Sequence, residues 1–254
     1  MLGAIIGDIA GCVYERRPPK TPEFPLMHPF SRYTDDTVLT IAIATALLDN
    51  NSYNQALYQF ARAYPNRGYG STFIRWFTSS NPQSYNSFGN GSAMRVSPIG
   101  FMAQSREWAL SEAEKSASVT HNHPEGIKGA QAVALAIYLA RQGASKDEIR
   151  EQLTLQIGYD LSRSYEDIQP TYTFDVTCQG SVPESIIAFL ASENYEDAIR
   201  KAIWLGGDAD TMACIAGGIA EAYYGEIPEY LMDEAMKKLP QQFKDIITAF
   251  YQAI

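Results

Sequence analysis

Cysteine and histidine are scarce in this chain, with three of each among 254 residues. Cys12, Cys178 and Cys214 are odd in number, far apart and in no metal-binding spacing. That excludes a disulfide framework and speaks against a thiolate zinc site. Their expected role is structural burial in a reducing compartment. Positive charge is also in deficit: 20 Lys and Arg against 29 Asp and Glu leave a net charge of −9. No basic stripe could offset that field to hold a nucleic-acid duplex. No apolar run is long enough to span a bilayer. The opening stretch, Met1 to Asp8, is apolar, but it has no positive start and Asp8 interrupts it. It does not read as a signal peptide. The expectation is a cytoplasmic protein, monomeric, with no membrane or nucleic-acid partner.

Sustained two-residue alternation is missing too, which speaks against a sheet. Tyr172 to Thr177 alternates briefly, inside an irregular stretch from Gly158 to Gly180. What the chain has is helical periodicity and 46% apolar residues. Val38 to Leu48 is apolar on nearly every side and predicts a central buried helix. Residues 52–64 are amphipathic, and further helices are predicted at 72–78, from Ser92, at 108–119 with Ser105 as cap, and at 124–141 with Pro124 in the first turn. Others fall near 145–157, 183–191, 195–204, 212–220 and 241–253. Pro98 is expected to kink the helix that it starts. Together these predict one compact all-α domain over residues 1–254 with long loops. The most conspicuous loop, Arg16 to Arg32, carries five prolines and cannot be regular helix. It suits a flap over a site and a passive surface loop about equally.

Two short acidic motifs each open into an apolar helix: Tyr33-Thr34-Asp35-Asp36-Thr37 and Gly206-Gly207-Asp208-Ala209-Asp210-Thr211. Capping alone explains either one. Their repetition before two buried helices exceeds what capping needs. Asp35 and Asp36 would diverge by about 100° within a regular helix, and Asp208 and Asp210 by about 200°. At two facing helix mouths they can converge. The six oxygen-bearing side chains of Thr34, Asp35, Asp36, Asp208, Asp210 and Thr211 would then suit one or two hard divalent cations. Ser87-Phe88-Gly89-Asn90-Gly91-Ser92-Ala93-Met94-Arg95 is a glycine-bearing loop running into a helix. Such loops offer N–H groups to phosphate, although Gly-Asn-Gly is also ordinary turn chemistry. His123 precedes a proline and suits a helix cap, which leaves His121 free to point elsewhere. Glu15 follows a glycine-spaced helix.

In this order the motifs resemble the ADP-ribosylglycohydrolase family. The resemblance runs through Gly3 to Glu15, Thr34 to Thr37, Asn66-Arg67-Gly68-Tyr69-Gly70, Ser87 to Arg95, Thr120-His121 and Leu205 to Thr211. The loops at Gly68 to Gly70 and Ser87 to Gly91 look closest to the branch acting on ADP-ribosyl-serine and other O-linked bonds. The resemblance implies an orthogonal all-α bundle with two Mg²⁺ or Mn²⁺ ions on the six oxygen-bearing residues above. It implies Glu15 as the acid–base group, with Asp36 orienting a water, and hydrolysis that releases ADP-ribose from a modified protein or small conjugate. Gly70, Ser87, Phe88, Gly89, Asn90, Gly91 and His121 fall on substrate-binding positions, with Phe88 as the stacking ring. The segment Phe77 to Asn86 holds no carboxylate, whereas arginine-directed relatives use an aspartate near there. Serine, arginine, acetate, poly(ADP-ribose) and α-NAD⁺ acceptors all present the same ADP-ribosyl half. A non-catalytic homologue and a two-metal phosphohydrolase are the alternatives.

Overall fold

The apolar start of the chain forms α1 (Leu2–Gly11), in which every residue from Gly3 to Gly11 is buried. The computed structural model, which describes residues 1–254, continues with α2 (Asp35–Leu48), α3 (Tyr53–Ala63) and α4 (Ser71–Thr78). A single 3-10 turn at Asn90–Ser92 leads to α5 (Ser97–Met102), α6 (Arg106–Ser118), α7 (Pro124–Arg141), α8 (Lys146–Ile157) and the short α9 (Tyr165–Ile168). Then come α10 (Cys178–Leu190), α11 (Tyr195–Trp204), α12 (Ala209–Tyr224), α13 (Glu229–Lys238) and α14 (Gln241–Gln252). No strand forms, and the one extended pairing is an isolated antiparallel bridge between Gly89 and Thr177. One core cluster of 71 buried residues reaches from Met1 to Phe250, so the helices enclose one interior. No helix is long and apolar enough to cross a membrane. All three cysteines are free; Cys178 and Cys214 are buried, and Cys12 is partly exposed.

A side-chain cap starts seven of the fourteen α-helices. Ser105 accepts from the Trp108 N–H, and Nδ1 of His123 accepts from the Glu125 N–H ahead of Pro124. Two starts differ from expectation. The predicted helix from Ser92 begins instead at Ser97, and Pro98 lies in its first turn. An amide there has no partner within the helix, so the proline starts the helix without kinking it. α10 begins at Cys178, five positions before the predicted start, because the Thr177 hydroxyl caps it through Gly180 N–H. Pro183 therefore lies inside the helix. α13 was not predicted; it buries only Leu231 and Ala235 and has no side-chain cap at its start.

One helix pair sets the geometry of everything below. Gly3, Gly7 and Gly11 are four apart and share one stripe of α1. A Cβ built on them would lie 2.5 Å from the Gly217 carbonyl oxygen, 2.1 Å from that of Ala213 and 2.4 Å from that of Ala209. These partners are also spaced by four, in reverse order, so α1 and α12 run antiparallel with their backbones in contact. The C-terminal end of α1 is thereby delivered to the first turn of α12, where the second acidic motif stands.

Candidate active site

Asp8 projects from α1 into the first turn of α2 and is wholly buried. Its Oδ2 accepts from the N–H groups of Thr34 (2.9 Å) and Thr37 (3.1 Å) and from the Thr37 hydroxyl, and its Oδ1 accepts from the Thr34 hydroxyl (2.6 Å). The same Thr34 hydroxyl accepts from the Asp36 N–H at 3.3 Å and so caps α2. In the sequence Asp8 is only a break in an apolar run; an acid within a glycine-spaced helix is the one signal of its role.

The two acidic motifs meet across this frame. The Thr211 hydroxyl donates to Asp36 Oδ1 at 3.4 Å, joining α12 to α2. Asn90 Nδ2 donates to Asp208 Oδ2 at 2.7 Å and to the Ser181 hydroxyl at 3.2 Å. Asp36, Asp208, Asp210, Thr34 and Thr211 are buried, and Asp35 is half-buried. Burial, reinforced by the charge of Asp8, pushes the Asp35 carboxyl up to about 8. Burial and the neighbouring acids hold Asp36 and Asp210 well above the usual carboxylate range, and burial also raises Asp208. Glu15, in the turn after α1, is half-buried and raised by burial and by Asp208, against the pull of Arg16 and Arg32. Asp36 Oδ2 is buried without a hydrogen-bond partner. Crowded acids around an unpartnered oxygen form a donor set that a hard cation would relieve. No three carboxylate, imidazole or thiol groups meet tightly enough to hold an ion. A complete shell would therefore draw on the Thr34 and Thr211 hydroxyls and on water.

These residues line one side of a cavity of about 450 Å³. Ser87, Gly89, Asn90, Gly91, His121 and Gly70 line other parts of it, so the sequence-predicted residues converge, with one exception. Phe88 does not line the cavity; it is 46% exposed, with its ring 5.3 Å from that of His123. The loop also divides its labour differently from expectation. The Gly89 and Asn90 N–H groups are occupied by the Ser87 hydroxyl and the Val176 carbonyl. Gly91 N–H makes no backbone hydrogen bond and stays available to an anion. The Asn90 amide nitrogen is taken up in holding Asp208. His121 Nδ1 bonds the Thr120 hydroxyl at 2.7 Å, and a Cβ on Gly91 would lie 3.2 Å from its Nε2. Burial and the nearby Arg95 push His121 well below its ordinary value, so it is a neutral hydrogen-bonding group.

Several lining residues were not singled out from sequence. Arg95 is wholly buried; its Nη2 donates to the Ser116 carbonyl and the Thr120 hydroxyl, while Nε and Nη1 have no partner. Phe174 and Val176 come from the stretch expected to be irregular and are half-exposed at the cavity wall. Arg32, whose charge acts on Glu15, and Arg67, whose guanidinium lies 3.9 Å over the Tyr33 ring, also line the cavity.

The ADP-ribosylglycohydrolase family model matches residues 1–254. ADP-ribosylhydrolase ARH3 of Mus musculus is 29% identical over 90% of this chain and 84% of its own length. ADP-ribosylarginine hydrolase Tri1 of Pseudomonas putida is 27% identical over 96% of this chain and 76% of its own length. The solved structure of an ADP-ribosylglycohydrolase-related protein complex superposes with a TM-score of 0.76 at 24% identity. That superposition covers 99% of this chain and 96% of the other, so the all-α architecture is shared throughout.

Proposed function

The chain belongs to the ADP-ribosylglycohydrolase family, and from that premise we propose that it hydrolyses the bond between C1″ of ADP-ribose and an O-linked acceptor. The observation that carries the proposal is the facing of an acid cluster, with its unpartnered Asp36 Oδ2, and a glycine loop across one cavity. Thr34, Asp35, Asp36, Asp208, Asp210 and Thr211 would hold two divalent ions, Mg²⁺ or Mn²⁺, which when bound supply Lewis acidity toward ribose hydroxyls and lower the pKa of a water.

The chain's own groups do the rest. Glycoside cleavage develops positive charge on the ribose and needs a proton donor or acceptor beside C1″. Glu15 is suited to that task by its place on the cavity wall, where burial and Asp208 raise its carboxyl and so favour the protonated form. Asp36 has one oxygen held by Thr211 and the other free to orient the attacking water. The Gly91 N–H and neutral His121 would meet the diphosphate, which the acidic chain cannot attract by charge. The segment Phe77 to Asn86 supplies no carboxylate to pair with a guanidinium acceptor, and Arg32 lines the wall near Glu15. Both features favour O-linked acceptors over arginine.

Glu15→Gln is expected to abolish turnover while calorimetry still registers ADP-ribose binding. Normal turnover in that variant would remove Glu15 from the mechanism. Product analysis supplies the second check: intact ADP-ribose is expected, and AMP with ribose phosphate would convert the assignment to phosphohydrolase.

A further inference from the structure

A second cavity, of about 690 Å³, lies against Glu15 and shares Cys12, Glu15, Arg32 and Gly68 with the first. Its remaining wall is Val13, Tyr14, Arg16, Arg17, His28 and Phe30, mainly cationic and aromatic. Arg16, Arg17 and Arg32 are exposed, and none of them makes an ion pair. Phe30 is 76% exposed, with its ring 5.3 Å from that of His28. In a chain of net charge −9, three unpaired guanidinium groups around one cavity run against the overall field.

Resting on the reading that the acidic side takes the ribose and the glycine loop the diphosphate, we propose that this second cavity is the acceptor subsite. Its occupant is a protein segment with acidic residues flanking the modified side chain. The two cavities meet at Glu15, where the scissile bond must lie, so the group leaving C1″ emerges on the arginine side. Guanidinium and ammonium acceptors are repelled there, whereas flanking carboxylates are drawn in with the bidentate geometry arginine favours. A nucleic-acid acceptor fits less well, because a long polyanion must also approach the rest of an acidic surface.

The test uses serine-ADP-ribosylated peptides that are identical except for flanking Asp/Glu, Ala or Lys/Arg residues. Affinity is measured on the full chain carrying Glu15→Gln, so that binding is read without turnover. The acidic peptide should bind about tenfold more tightly than the basic one at low ionic strength. That ratio should fall toward one near 1 M salt, where the screening length is ~3 Å. Adding Arg16→Glu and Arg17→Glu should invert the preference and leave free ADP-ribose affinity unchanged. Equal affinities for the three peptides would overturn the subsite while leaving the parent activity intact. Tighter binding of an oligonucleotide ADP-ribosylated on its terminal phosphate would reassign the occupant to nucleic acid. Failure to bind even free ADP-ribose would overturn the activity itself, and the subsite with it.

Discussion

Asp8 shows how one buried carboxylate can matter to a site that it does not line. It satisfies two N–H groups and two hydroxyls at the mouth of α2. Three of these four bonds fall on Oδ2, and only the Thr34 hydroxyl falls on Oδ1. An amide at this position could keep its oxygen where Oδ2 is and put its NH₂ in place of Oδ1. The Thr34 hydroxyl, already accepting from Asp36 N–H, would then have to accept a second bond. Both of its lone pairs would be spent, leaving none for a cation. Asp8→Asn is therefore expected to change stability by no more than about 1 kcal/mol, yet to weaken Mg²⁺ binding by ~10–100-fold. Asp8→Ala strands all four donors and should cost roughly 3 kcal/mol or more. Urea unfolding in chelator, beside Mg²⁺ titration, measures both effects. Unchanged Mg²⁺ affinity in Asp8→Asn would show that the Thr34 hydroxyl is not a ligand.

At the scale of elements, the contact of α1 with α12 is the part of the fold least tolerant of a single methyl. A Cβ at Gly7 would stand 2.1 Å from a backbone oxygen, and backbone cannot rotate aside as a side chain can. Gly7→Ala is expected to destabilise by about 1–3 kcal/mol or more. Gly70→Ala, where nothing lies within 4 Å, should stay within about 0.5 kcal/mol. Thermal melts of the two variants compare them directly, and equal shifts would show that the helix pair can spread at little cost. The same scale explains what periodicity revealed. α2, α7 and α11 were legible because apolar residues recur on a helical stripe or all round. α9 and α13 were not: α9 is only four residues long, and α13 buries only Leu231 and Ala235 and lacks the capping box that marks α8, which also buries only two residues. α10 was legible in its body and misplaced at its start, because Pro183 is a stop signal in sequence that the fold tolerates inside a helix.

Across the whole molecule, the candidate site was legible where side chains sit at helix mouths, as Thr34 to Asp36 and Asp208 to Thr211 do. It was illegible where loops cross, as at Arg95, Phe174 and the Arg16–Arg17 cavity, because no local pattern encodes which loops will meet. The same convergence leaves the folded chain with an electrostatic cost that pH and metal should expose. Asp35 is raised to about 8, with Asp36, Asp208 and Asp210 also raised. A carboxyl with a higher folded than unfolded value keeps its proton in the folded state after the unfolded chain has released it. Stability is thus lost as pH climbs from the ordinary value of 3.8 toward about 8, and then levels off. His121 works in the opposite sense, since its depressed value costs stability only below its ordinary 6.5. Between about pH 7 and 8 the Met1 ammonium, lowered by burial from 8.0 to about 6, gains stability as pH rises. The raised Asp35, Asp36 and Asp210 carboxyls outnumber it, so metal-free protein is expected to melt at a lower temperature at the upper end. Divalent cations compete with those protons, so the gain from a fixed Mg²⁺ concentration should be larger at pH 8 than at pH 6. At ~100 times the dissociation constant that gain is about 2.7 kcal/mol. Calorimetric melts across this range, with chelator or with Mg²⁺, measure both trends. A Mg²⁺ gain that does not vary with pH would mean that the raised carboxyls are not the ions' ligands.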